Sequence, residues 1–337
     1  MFKKKIRHII LLLCIFLFAS CHLKTGSRAD NAQDVRISVI RYDKLQNEYV
    51  EFNSFMALKK MNTEHLLETK YLIEDVLRLG PIDDPHISQK LKVFFSDSTL
   101  RALSKDALAK YKNMGAIEEE LTHGFKKLKK EIPAVKIPRV YSQLSALNES
   151  VIVGDSLLSF SIDKYMGRDY PLYKRYFYDY QLNSMAPERV VPDCFVFYLL
   201  SEFPFPENNE YTLLDCMMHR GKIHYVVKEL LNCDSSGKEL GYSQEEEKWC
   251  LKNRRSMWEY MLQNGHVNST DPMIIRKYIA SAPFTAYFGA DSPSMTGIWM
   301  GIQIIESYMK NNKEVSIEQL MGNTDYKQML TDAKFKP

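Results

Sequence analysis

His219-Arg220-Gly221-Lys222, with His224 two residues on, is the stretch of this 337-residue chain that most resembles reactive chemistry. A zinc peptidase needs H-E-x-x-H on a helix, which puts two imidazoles on one face with a glutamate base between them. That motif is absent. His219 and His224 are five residues apart, about 140° around a helix, and do not share a metal without distortion. His65, His86, His123 and His266 are scattered. The 219–222 turn is expected to be a polar helix turn partly facing solvent. A serine hydrolase would show G-x-S-x-G, and a phosphate cradle a P-loop or G-x-G-x-x-G. None occurs; Ser292-Pro293-Ser294 offers hydroxyls without a partnered histidine, and Gly289, Gly297 and Gly301 have packing rather than phosphate spacing. No carboxylate pair stands in an apolar setting that marks a raised-pKa acid. The residues predict no catalytic set, no metal site and no cofactor.

Three other groups are chemically suggestive. Tyr170, Tyr173, Tyr176, Tyr178 and Tyr180 could stack a glycan or a peptide, or serve as half-buried packing. Lys126 to Lys130 follows Glu118 to Glu120 on one helical pattern, which complements the helix dipole and predicts a solvated helix end rather than an anion site. Cys194, Cys216, Cys233 and Cys250 contain no C-x-x-C pair; as an exported set they allow three disulfide pairings, while Cys194 and Cys216 lie among apolar residues.

Export follows from the first residues. Lys3 to Arg7 is a positive n-region and Ile9 to Phe18 an apolar h-region, and Phe18-Ala19-Ser20-Cys21 ends in small residues before a cysteine. This predicts a bacterial lipoprotein signal over 1–20, cleaved before Cys21, whose thiol takes the lipid. Residues 21–33 are a polar tether. Two or three acyl chains anchor stably, each buried CH₂ contributing about 0.8 kcal/mol. No acidic cluster follows Cys21, which favours a periplasm-facing protein. Losing Lys3, Lys4, Lys5 and Arg7 takes the formal charge from +3 to −1, so no basic asymmetry points to nucleic acid.

The elements that would position these residues are mostly helical. Residues 34–337 read as one α+β domain, with 45% hydrophobic residues to build a core. Asp34 to Tyr42 alternates as a first strand. Amphipathic helices follow over 45–56, 66–77, 85–95, 100–111 and 117–132. Ile137 to Leu144, Val151 to Val153 and Leu157 to Ile162 read as short strands, giving a small antiparallel sheet. Helices return over 194–203, 211–231 and 244–262, the last with a Ser243/Glu246 capping box. Asp271 caps a helix with Pro272 at its first position, and 316–330 forms a C-terminal helical tail. The centre is 271–310. There a stiff Pro- and aromatic-rich loop leads into a helix that is apolar all round, with Gly297 and Gly301 on one side, and so belongs in the core.

Several blocks resemble the gliding-motility lipoprotein B (GldB) family. They are Phe94-Phe95-Ser96-Asp97, Lys136 to Tyr141, Asp155 to Leu158, Ile162 to Gly167, Asp169-Tyr170-Pro171 and Val191-Pro192-Asp193. Further on come Gly221-Lys222 with Tyr225, Gly241-Tyr242, Glu247 to Cys250, Trp258, Ala282-Pro283-Phe284-Thr285, Phe288-Gly289, Ser292-Pro293 and Gly297 to Gly301. The resemblance implies a membrane-anchored envelope lipoprotein tied to gliding and its coupled secretion machinery, acting by protein–protein contact without catalysis. It also implies a zincin-like scaffold lacking zinc ligands. Two positions depart from the pattern: Arg220 stands where an acidic residue is expected, and Ser294 where a glycine is. The alternatives are a metal-dependent, peptidase-like hydrolase with a non-standard site, and a glycan- or peptide-binding lipoprotein using the tyrosines.

Overall fold

The computed structural model describes residues 35–206 and 210–337. The leader, Cys21 and the tether lie outside the described residues. Early in this span, backbone amides turn to side chains. Ile37 N–H donates to Thr122 Oγ1 at 2.9 Å and Val39 N–H to Glu118 Oε1 at 2.8 Å. Both amides face side chains on the edge away from the sheet, so no further strand pairs there. The strand expected over 34–42 shrinks to β1, Val39–Ile40, and Tyr42 already opens a helix.

Helices α1 (Tyr42–Phe52), α2 (Phe55–Thr63), α3 (Leu66–Lys70, continued by a π turn at Tyr71–Val76), α4 (Ile87–Phe94), α5 (Ser98–Lys110) and α6 (Gly115–Glu131) follow. Side-chain caps start two of them. Ser54 accepts from Ala57 N–H, and Asp97 accepts from Thr99 and Leu100 N–H. At the end of α6, Lys129 Nζ donates to the Pro133 and Val135 carbonyls at 2.7 Å each, and Lys127 Nζ to the Glu229 carbonyl. Lys129 thus binds carbonyls past its own helix end, and Lys127 one in the last turn of the helix Leu213–Leu230, rather than only facing water.

Three strands complete the sheet: β2 (Arg139–Gln143), β3 (Val151–Gly154) and β4 (Leu157–Ser161), in the order β1-β2-β4-β3. The α+β class holds, but the expected antiparallel arrangement applies only to the β3–β4 hairpin. β1–β2 and β2–β4 are parallel. The reason lies in the 144–150 loop, which carries the chain past the β4 position so that β3 takes the edge. Asp163 holds that loop, its buried carboxylate accepting from Ser145 N–H at 2.9 Å and Leu147 N–H at 2.8 Å. α1 packs on β2, and α7 (Val190–Glu202) packs on β3, β4 and α6.

The second half is helical: α8 (Leu213–Leu230), α9 (Ser236–Leu240), α10 (Gln244–Gln263), α11 (Pro272–Ile279), α12 (Thr296–Asn311), α13 (Ile317–Gly322) and α14 (Tyr326–Ala333). The Ser243/Glu246 capping box and the Asp271 cap, which accepts from Met273 N–H at 2.8 Å, form as expected. α8 and α12 make the most extensive helix–helix contact. Ile298, Trp299, Met300, Ile302, Ile304 and Ile305 are wholly buried, each contributing about 1.5–3 kcal/mol on removal from water. The expected C-terminal tail is two helices, broken at 323–325.

Candidate functional site

The site is organised by α8, and α8 by two glycines. A Cβ on Gly221 would lie 2.5 Å from the Gly301 carbonyl carbon, and one on Gly301 would lie 2.0 Å from the Met217 carbonyl oxygen. Backbones touch there, so the polar stretch 219–224 is pressed into the core. This corrects the expectation of a turn partly facing solvent: His219, Lys222 and His224 are all buried.

Each buried group has a structural occupation. Lys222 Nζ donates to the carbonyls of Met321 and Asn323, both at 2.9 Å, and lies over the Tyr326 ring. It thereby closes the break between α13 and α14. Burial pulls its pKa down to about 8. His219 Nδ1 is 3.0 Å from the Tyr326 hydroxyl. Burial first, then the Lys222 and Arg220 charges, lower its pKa to about 4, so it is neutral at pH 7. With the proton on Nδ1, Nε2 presents only a lone pair, which has no hydrogen-bond partner among the described residues.

His224 projects toward a second set of groups. Its Nδ1 is 2.8 Å from Glu239 Oε2, and Glu239, on α9, is fully buried. Arg189 donates to the Glu239 carbonyl and pairs with Asp193 at 2.7 Å, while the Tyr165 hydroxyl donates to Asp193 at 2.9 Å. Burial raises the Asp193 carboxyl above its usual range, against the opposing pull of Arg189. This Tyr165–Asp193–Arg189–Glu239–His224 chain ties the region after β4 to α7, α9 and α8. Its members were not legible as a set from spacing, although Tyr165 and Asp193 sit in the resemblance blocks. Arg220 lies between Cys216 and His224 on α8. Burial lowers its pKa, with Glu239 opposing, and its Nε has no partner among the described residues. A carboxylate here would instead face Glu239 across low dielectric, so the departure to arginine removes a like-charge conflict.

The 280–295 loop is locked as its composition predicts. Thr285 donates to the Pro293 carbonyl through N–H at 3.1 Å and Oγ1 at 2.8 Å; Ser292 Oγ donates to the Gly289 carbonyl at 2.7 Å, and Thr296 Oγ1 to Thr285 Oγ1 at 2.9 Å. Tyr287 stacks on Tyr278, and Phe288 packs against Tyr260 and Tyr278. The Ser292 hydroxyl is therefore a brace within the loop. The positive φ angles of this loop fall on Gly289 (82°) and Met295 (56°) and not on Ser294, so serine in place of glycine at 294 costs no backbone strain.

Two of the resemblance blocks, Gly241-Tyr242 and Ala282-Pro283, line one cleft together with Ser294 and Tyr180. Tyr242 donates to the Ser294 carbonyl across it. Its volume is about 70 Å³, room for a few waters and far below the 300 Å³ or so of a small-molecule site. Two larger hollows lie elsewhere: an apolar one of about 540 Å³ beside Tyr211, Cys216, Ile275 and Ile279, and one of about 380 Å³ beside Asp106, Tyr170 and Arg175. The tyrosines divide. Tyr173 is buried, Tyr170 donates to Asp106, and Tyr176 and Tyr178 are exposed, Tyr178 stacking on Tyr180. All four cysteines in the described residues are free thiols. Among the described residues no group of three or more His, Cys, Asp and Glu is placed to hold a metal ion.

Residues 25–337 match the family model described as gliding motility protein GldB. The chain belongs to the GldB family. The match starts within the expected tether and spans all of 34–337, and so covers the α8–α12 core and the cleft together. GldB-family membership makes this a gliding-motility-associated lipoprotein and points to a membrane-anchored place in the cell envelope. Among the described residues, no helix is long and apolar enough to cross a membrane. No curated protein and no solved structure matches the chain.

Proposed function

We propose that the chain is a lipidated envelope protein, anchored through Cys21 after cleavage of 1–20, with 34–337 as one domain. It serves gliding motility and its coupled secretion machinery by binding protein partners rather than by catalysis. The observation that carries the reading is the occupation of α8. Its candidate acid–base groups are buried: Lys222 is engaged by two carbonyls and the Nδ1 atoms of His219 and His224 by the Tyr326 hydroxyl and the Glu239 carboxylate, while both Nε2 atoms are buried without a partner among the described residues, out of reach of a substrate proton. General acid–base catalysis needs the group within hydrogen-bond reach of a substrate proton. The shared cleft, at about 70 Å³, supports the same view. The zincin likeness stays with this reading as ancestry only, since α8 lacks the paired imidazoles and glutamate of that class. The periplasm-facing orientation rests on the lack of an acidic cluster after Cys21.

Labelling with a radioactive fatty acid, with and without Cys21→Ser, tests the anchor; incorporation into the Cys21→Ser chain refutes it. Deletion of the gene in a gliding host tests the role. The expected result is loss of both colony spreading and secretion of adhesin-type surface proteins, and normal behaviour of both refutes it.

A further inference from the structure

The corner between α1 and α2 leaves two phenyl rings in water. Phe52, the last residue of α1, and Phe55, the first of α2, are each 75% exposed, and Met56 is 60% exposed. Asn53 makes the corner: its left-handed backbone (φ 52°) ends α1, with its N–H on the Glu48 carbonyl. Ser54 caps α2 immediately after. α4 abuts the corner, because Lys92 Nζ donates to Asn53 Oδ1 at 2.8 Å, and the neighbouring Val93 is 59% exposed. Nothing in the helix pattern requires large apolar groups at a solvated turn, where small polar residues suffice.

We propose that this corner docks on the surface of an anionic lipid bilayer, giving the domain a membrane contact of its own besides the anchor. The charges around the tip fit that occupant. Lys59 and Lys60 are exposed on the same helix as Phe55 and have no carboxylate partner among the described residues, and Lys92 flanks the tip. Arg101 neutralises Glu51, leaving Glu48, one turn back, and Glu64, at the far end of α2, as carboxylates without an ion pair among the described residues. Phenyl rings and a methionine entering the acyl boundary, with lysines reaching back to headgroups, is the chemistry of interfacial binding. A protein partner fits less well. A phenylalanine carries roughly 200 Å² of buriable area, so the two rings, even with Met56 and Val93 added, fall short of the roughly 800 Å² that one side of a stable protein interface buries. The tether allows the contact: the 14 residue-to-residue steps from Cys21 to Val35 span at most about 50 Å when extended.

The inference uses the lipid-anchored reading only to place a membrane nearby, and its test separates the two. Full-length chain is incubated with phosphatidylcholine vesicles with or without phosphatidylglycerol, and backbone hydrogen exchange is followed over residues 50–60. Docking predicts exchange there slowed at least about tenfold by the anionic vesicles alone. The slowing should vanish in the double variant Phe52→Ser, Phe55→Ser, whose exposed positions leave the fold intact, as unchanged exchange elsewhere would show. Equal exchange on both vesicle types overturns the proposal even if the chain floats with the vesicles through its lipid. Protection that instead requires envelope protein extract, with no lipid effect, assigns the corner to a protein partner and also overturns it. Flotation of the Cys21→Ser chain reports on the anchor separately.

Discussion

His219 should make the domain's stability acid-sensitive over a defined window. The ring is 2% exposed, and its pKa falls from 6.5 in the unfolded chain to about 4 in the folded one. A depressed pKa means that the unfolded state binds the extra proton between these values. The stability involved is fully present above about pH 6.5 and is lost as the pH falls through about 4. A shift of this size corresponds to about 3 kcal/mol in full, of which about 2.5 kcal/mol is already gone at about pH 4.5. His219→Gln keeps a polar group beside the Tyr326 hydroxyl and removes the titration. The assay is urea unfolding of both proteins at about pH 7 and about pH 4.5. Other carboxyls titrate equally in both, so the quantity of interest is the difference between the two pH dependences. The wild type should lose about 2.5 kcal/mol more than the variant, comparable to the whole effect of a severe single substitution. Equal losses in the two proteins would refute the claim that His219 is held neutral by burial.

Other expectations follow from single contacts. Gly301→Ala drives a methyl to within 2.0 Å of the Met217 carbonyl and should cost at least about 3 kcal/mol in thermal unfolding. Gly322→Ala, with nothing within 4 Å, should cost nothing and add up to about 1 kcal/mol. Lys222→Met should lose stability relative to wild type as the pH rises from about 8 toward 10.5, by up to about 3 kcal/mol, because the neutral wild-type amine no longer bears the burial penalty. Glu239→Ala leaves His224 Nδ1 without its partner and removes the carboxylate that opposes the buried Arg220 charge, and should cost about 3 kcal/mol; chemical denaturation at neutral pH measures it.

The sequence was most legible where local chemistry decides. The Ser243 capping box, the Asp271 cap and the all-round apolar helix of Ile298 to Ile305 form where patterning places them, because each depends on neighbours within a turn or on simple burial. The braced loop before Met295 was readable for the same reason. Sheet direction was not, because it depends on where the 144–150 loop delivers β3, and that is set by Asp163 from the far side of β4. The short β1 failed similarly: the acceptors for Ile37 and Val39 N–H are side chains some 80 residues away. The depth of His219, Lys222 and His224 was hidden because two glycines, each unremarkable in its own helix, meet only in three dimensions. The family was legible because its residues recur in compact blocks, whereas the cleft that unites Gly241, Ala282 and Ser294 has no signature in any one block.

The central claim is that this GldB-family chain works as a binding scaffold and not through the chemistry of α8. The most direct measurement is single-cell gliding speed in a deletion strain complemented with the chain or with its His219→Gln and Tyr326→Phe variants, each scored against its own protein level. The account predicts full rescue by every variant that accumulates normally. A variant that accumulates and reaches the envelope as the wild type does, yet leaves the cells immobile, would contradict it and return His219 and Tyr326 to a catalytic role.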